Sequence, residues 1–209
     1  MVKNKSILSD SADLNYALIR RINPDGQVQI LSFSPLDLFN ANSKELNIAL
    51  SPKDLILFLP KFDFEKRKRA IRPFLKELEF NAEASVGTLV VSISGEVHFP
   101  GKYPMNSGMT VGDLIVAAGG LKESAFSLAA EISRIGVDFN NPDVEAVVEN
   151  RLLESLLSED SLNEQLQPCD VLSVKKIPSW QEDRIITLSG EVKFPGKYAC
   201  LLYTSDAAD

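Results

Sequence analysis

The sequence is poor in histidine and cysteine. His98 stands alone, and Cys169 and Cys200 are the two cysteines among 209 residues. One histidine cannot pair with another on a metal, and two cysteines make neither a disulfide framework nor a zinc site of the usual spacing. A hydrolytic metalloenzyme and a disulfide-stapled miniprotein are both disfavoured. No run reaches the roughly 18 apolar residues that a membrane-spanning helix needs. The opening MVKNKSILSD has lysines but no apolar stretch behind them, so it does not read as a secretory signal. Positive charge is also in deficit: 22 Lys and Arg against 29 Asp and Glu leave a net charge of −7. A nucleic-acid binder shows the opposite balance, so no nucleic-acid partner is expected. What remains is 44% hydrophobic and 24% charged, ordinary for a globular protein of one large domain or two small ones.

What the sequence does have is self-similarity. Residues 94–103 read SGEVHFPGKY and residues 189–198 read SGEVKFPGKY, nine of ten positions agreeing at an offset of 95. A weaker pair lies elsewhere: Leu50, Pro52 and Asp54 align with Leu166, Pro168 and Asp170 at an offset of 116. Upstream, Ile19-Arg20-Arg21-Ile22 resembles Ile132-Ser133-Arg134-Ile135 at an offset of 113. A unit therefore opens with the SGEV-FPGKY segment and closes with the L-x-P-x-D segment, and roughly 90 residues suffice for an independent domain. The expected organisation is the back part of a preceding unit (1–60), an amphipathic helical linker (61–86), one complete unit (87–178) and the first hairpin of a following unit (179–199).

Within the complete unit, Leu89, Val91, Ile93, Val97 and Phe99 alternate with polar residues, which predicts one half-buried strand over 89–99. Gly95 interrupts it, as at a bulge or a close backbone approach. Pro100-Gly101 makes a turn into a return strand. MTVGDLIVAAGGL (109–121) reads as a helix with Thr110 as N-cap, Asp113 three residues on, and a Val111, Leu114, Ile115, Ala118 stripe. Gly119-Gly120 ends it. A hairpin follows (130–137 and 144–148, around Asn140–Asp143), then one or two helical turns over Leu152–Leu157 and a closing strand over 170–177. A small mixed sheet grasping one helix buries these faces, so the expected fold class is α+β, of β-grasp type. In the linker, Ile71, Phe74, Leu75 and Leu78 fall at helical spacing, with Pro73 in the first turn. Its basic cluster Lys66–Arg69 reads as a solvated face, or else the segment is a docking helix for a neighbouring subunit or an anionic partner.

These motifs carry a resemblance. GEVHFPGKYPMNSGMTVGDLIVAAGGLKESA, with Arg134 on the next strand and Pro168…Asp170 closing, resembles the SLBB (soluble-ligand-binding β-grasp) domain of bacterial outer-membrane polysaccharide export proteins. The resemblance implies tandem SLBB domains, one complete and two partial. It also implies a place on the periplasmic face of the Gram-negative outer membrane, in a capsule or exopolysaccharide export system. The implied partners are other subunits of the same protein in a homo-oligomeric ring, an inner-membrane polysaccharide copolymerase, and the polysaccharide chain. The family's lipobox, export motif and membrane-crossing C-terminal helix are not found here, so pore and anchor belong to a parent protein. The stretch CLLYTSDAAD (200–209) breaks the repeat pattern and reads as adapter-derived sequence, not as a native strand.

No catalytic residues, metal ligands or cofactors are expected. Glu96 and Glu191 share one repeat position but lie in different units, and no second carboxylate recurs beside them, so glycosidase chemistry lacks its pair. Cys169, beside a turn proline, reads as a structural thiol. Three residues are candidate ligand contacts. Arg134 could bind a carboxylate bidentately, either an internal Asp or a uronic acid. Tyr103 and Trp180 could stack on sugar rings or plug the end of a small core. The leading expectation is a non-enzymatic structural and interaction module. The alternative is a saccharide- or small-ligand-binding module with no ring-building role.

Overall fold

The computed structural model describes residues 8–39, 48–82, 88–136, 147–178, 180 and 185–199. The turn expected at Asn140–Asp143 and the segment from Cys200 onward lie outside them. The chain divides into two compact units, Met1–Lys176 and Ile177–Asp209. The architecture is mixed α/β.

The first unit opens with β1 (Ala12–Ile22), β2 (Val28–Phe33), the short helix α1 (Pro35–Phe39) and β3 (Leu55–Pro60). These strands form an antiparallel sheet in the order β2-β1-β3. Helix α2 (Phe64–Phe80) follows, then β4 (Val90–Gly95), β5 (Gly101–Pro104), α3 (Val111–Ala117), β6 (Ala125–Gly136), β7 (Val147–Glu154), α4 (Glu159–Leu162) and β8 (Val171–Lys176). Their sheet runs β5-β4-β8-β6-β7, parallel between β4 and β8 and antiparallel elsewhere. The second unit contains the antiparallel hairpin β9 (Ile185–Leu188) and β10 (Gly196–Ala199).

Local chemistry explains the elements around α3. The Thr110 side chain accepts from the Asp113 N–H while the Asp113 carboxylate accepts from the Thr110 N–H, a reciprocal capping box. Val111, Leu114, Ile115 and Ala118 are buried, as their spacing predicts. They share one apolar cluster with Val91, Ile93, Val97, Ile132, Leu172 and Val174 of the sheet. That cluster also takes in Tyr16, Leu18, Ile30 and Leu59 of the first sheet and Ile71, Phe74 and Leu78 of α2. One core therefore runs through both sheets.

The three sequence offsets reappear in backbone geometry. Arg134 Nε and an amino nitrogen grip Asp170 at 2.9 and 2.8 Å, and the Gln167 N–H donates to the same carboxylate at 2.8 Å. Arg21 grips Asp54 at 3.0 and 2.7 Å, and the Ser51 N–H donates to it at 2.8 Å. Cys169 and Lys53, the residues just before the two aspartates, both take positive φ (68° and 72°). Both sheets break register at corresponding places, between Ala12 and Ala17 and between Ala125 and Ala130. The β9–β10 register, Ile186 opposite Tyr198, is that of β4–β5, Val91 opposite Tyr103. Asp54 is held below the usual carboxylate range by the Arg21 hydrogen bond, then by the Ser51 N–H.

Three expectations are corrected. The strand from Leu89 stops at Gly95, where φ is +87° and the backbone lies against Val174; Val97 is reached by an isolated bridge to Leu121. Leu152–Leu157 is not helical. β7 continues to Glu154 because it pairs along its length with β6, with Leu153 buried opposite Ala130, and the helical turn comes later, at α4. Cross-strand pairing thereby overrides helix propensity. Pro73 lies in the interior of α2, not its first turn, because Asp63 caps the helix ten residues earlier. A mid-helix proline costs about 3 kcal/mol, and the burial of Ile71, Phe74 and Leu78 opposes that cost.

A Cβ added at Gly95 would lie 1.9 Å from the Val174 carbonyl oxygen, whereas one at Gly108 (φ +75°) meets nothing within 4 Å. In chemical denaturation Gly95→Ala is expected to lower the unfolding free energy by about 3 kcal/mol or more. Gly108→Ala, which meets only the backbone penalty, is expected to cost about 1 kcal/mol.

Candidate functional site

The site forms where α2 crosses the tip of the β4–β5 segment. Asp63 caps α2 by accepting from the Lys66 N–H at 2.8 Å. From that start, positions 67, 71, 74 and 78 fall on one helix face and are all buried. Arg67 thus occupies an apolar-stripe position and is 1% exposed. Its basic neighbours Lys66, Lys68 and Arg69 are exposed, so the solvated-face expectation holds for them and fails for Arg67.

Arg67 joins three elements. One amino group donates to Asp13 of β1 at 2.7 Å and to the Pro60 carbonyl of β3 at 3.1 Å. The other donates to the Ala117 carbonyl, the last residue of α3, at 2.6 Å. The helix C-terminus carries partial negative charge, so a guanidinium is favoured there. The guanidinium carbon lies 4.7 Å from the Phe99 ring centroid and 5.8 Å from that of Tyr16. Among the described residues its Nε is buried without a hydrogen-bond partner, as is the Tyr16 hydroxyl. Desolvation pushes the Tyr16 phenol well above its ordinary pKa.

The SGEV-FPGKY motif docks onto the end of α3. The His98 N–H donates to the Gly120 carbonyl at 3.2 Å and the Phe99 N–H to the Ala118 carbonyl at 2.8 Å. The Phe99 ring fills the space beside Gly119, where any Cβ would come within 2.6 Å of it. On its other side Phe99 lies parallel to Phe64 of α2, with centroids 6.4 Å apart and planes 6° apart. Glu96 accepts from the Ser124 hydroxyl at 2.6 Å, which holds its carboxyl below the ordinary range, with Lys122 3.8 Å away. It ties the segment after α3 to the motif. His98 is exposed.

Two cavities flank the Phe64–Phe99 pair. One, of about 610 Å³, lies between α2 and the motif tip and is lined by Lys68, Arg69, Arg72, Pro100 and Lys102 as well as the two rings. The other, of about 760 Å³, is lined by Asp13, Asn15, Ser34, Phe62 and His98. Neither contains Arg134 or Trp180. Arg134 spends two nitrogens on Asp170, the internal partner. Tyr103 borders the first cavity, but its ring is 3% exposed, and its hydroxyl donates to the Phe99 carbonyl at 2.7 Å. Trp180 belongs to the second unit and is half-buried. Sequence reasoning places Arg67 in the solvated basic cluster and gives no role to Phe64 or Asp13. The available signal was the coincidence of Arg67 with the apolar positions 71, 74 and 78.

These elements make a mixed sheet packed on a capped helix. The SLBB domain family matches residues 90–136, which span β4, β5, α3 and β6. The match supports an SLBB module over this segment, a kind of domain that suggests ligand binding. Helix α2 and Arg67 lie outside it. No curated protein matches the chain.

Removing one partner of a buried ion pair strands the other, at a cost of about 3–5 kcal/mol. Arg67→Ala is expected to lose that much in chemical denaturation, and the Arg67→Ala/Asp13→Ala double variant to lose less than the two single losses added together. Strictly additive losses would show that the clamp contributes no coupling.

Proposed function

We propose that the chain is a non-enzymatic structural and interaction region of an outer-membrane polysaccharide export protein. It works at the periplasmic face of the outer membrane, where SLBB domains build a ring around a passing capsule or exopolysaccharide chain. In this reading residues 1–60 and 179–199 are partial SLBB copies flanking the complete one, 87–178. The observation that carries it is the duplicated Arg–Asp clamp, Arg21–Asp54 and Arg134–Asp170, each with the same backbone donor three residues before the aspartate. An ordinary single domain has no need to build one corner twice at fixed offsets. The shared core suits a rigid strut, since packed interiors transmit position. Ring formation rests on heterologous contacts between subunits that close by rotation, and an inner-membrane copolymerase supplies the chain from below. Passage of glycan requires no bond to be made or broken.

The second reading, a saccharide-binding module without a ring-building role, is favoured by one feature, the basic and aromatic cavity beside α2. Deletion of the gene in its host separates the two. The export reading expects surface polysaccharide to disappear and to return on complementation. Surface polysaccharide unchanged in amount would overturn it.

A further inference from the structure

The cavity between α2 and the motif tip has three properties that together describe a ligand. The first is charge. Lys68, Arg69, Arg72 and Lys102 line it, against one acidic residue, Glu65. Among the described residues Lys68, Arg69 and Arg72 have no carboxylate partner, and Lys102 only approaches Glu79 at 3.7 Å. In a chain of net charge −7, such a cluster attracts anions against the field of the rest of the molecule. The second is shape. About 610 Å³ is within the range of small-ligand pockets and accommodates a few linked sugar rings, not a protein surface. The third is apolar surface. Phe64, Pro100 and the half-buried Phe99 offer ring faces beside the cations, which suits a ligand with both an apolar ring face and a negative group.

The wall of the cavity is fixed in place. Arg67 lines it from beneath and is tied to Asp13, Pro60 and Ala117, and Tyr103 is tied to the Phe99 carbonyl. The exposed cations therefore project from a pre-organised floor, and binding would not have to order the backbone first.

We infer that this cavity is a binding site for an acidic oligosaccharide. The carboxylates of its hexuronate residues would meet Lys68, Arg69 and Arg72, and a sugar ring face would lie against Phe64 and Pro100. The choice of a sugar over other ringed anions rests on the export reading above. The cavity's charge and shape do not.

The test is isothermal titration of the whole 209-residue chain with tetragalacturonate, its fully methyl-esterified form, and inorganic polyphosphate of similar charge. Saturable binding of tetragalacturonate is expected, with at least tenfold weaker binding of the neutral ester. The Lys68→Ala/Arg72→Ala variant, both positions being exposed and without carboxylate partners, is expected to melt like the parent and to bind at least tenfold more weakly. Arg151→Ala, outside the cavity, should bind as the parent does. Absence of saturable binding, or equal binding by the double variant, would overturn the site. Polyphosphate binding as tight as tetragalacturonate would overturn the sugar assignment by reducing the cavity to a patch of charge. If the titration fails while gene deletion still abolishes surface polysaccharide, the site is wrong and the export reading stands.

Discussion

A single buried guanidinium ties the two sheets of the first unit to one another across their shared core. Arg67 comes from a helix that sequence periodicity makes a connector, yet it reaches β1, β3 and the end of α3 at once. Burying a charge this fully is tolerated only when it is paired and hydrogen-bonded. Here the pairing partner is on one sheet and the carbonyl acceptor at 2.6 Å ends the helix packed on the other, so the two amino groups find their acceptors only when both are in place. This geometric demand adds a directional constraint on the placement of the two sheets to the one that their shared packed core imposes.

The same residue links packing to the candidate site. Phe99 is held between Arg67, Phe64 and the space left by Gly119. The motif tip that makes the family signature recognisable is thereby also the wall of a cavity, whose opposite wall is the exposed basic face of α2. The family match ends at β6 and begins at β4. The cavity is thus a composite of module and connector, and its cations come mostly from the connector.

Much of this was legible in the residues. Thr110 and Asp113 cap α3 because that spacing lets each side chain reach the other's backbone. The break at Gly95 implies a bulge or a close backbone approach, and the structure shows the approach, to the Val174 carbonyl. Arg134 and Asp170, singled out separately from sequence, proved to be partners. Other features were hidden because they depend on contacts far apart in the chain. Nothing local distinguishes Arg67 from Lys66 or Arg69 except its phase on the helix. Leu152–Leu157 has helix-favouring leucines, and only the pairing of β7 with β6 makes the first part strand. Pro73 suggested a helix start because a proline inside a helix is costly, and the packing that offsets it belongs to other elements. The candidate contacts Arg134 and Tyr103 were chosen for chemistry that the fold uses internally.

If Arg67 makes both sheets one cooperative body, they must open together. Native-state hydrogen exchange reads this directly, amide by amide. Leu18 in β1, Ile71 in α2 and Leu172 in β8, all buried, should exchange with the same opening free energy and the same denaturant dependence. Exchange at Leu18 and Ile71 through a much cheaper opening than at Leu172 would contradict the shared core and return α2 to the status of a linker.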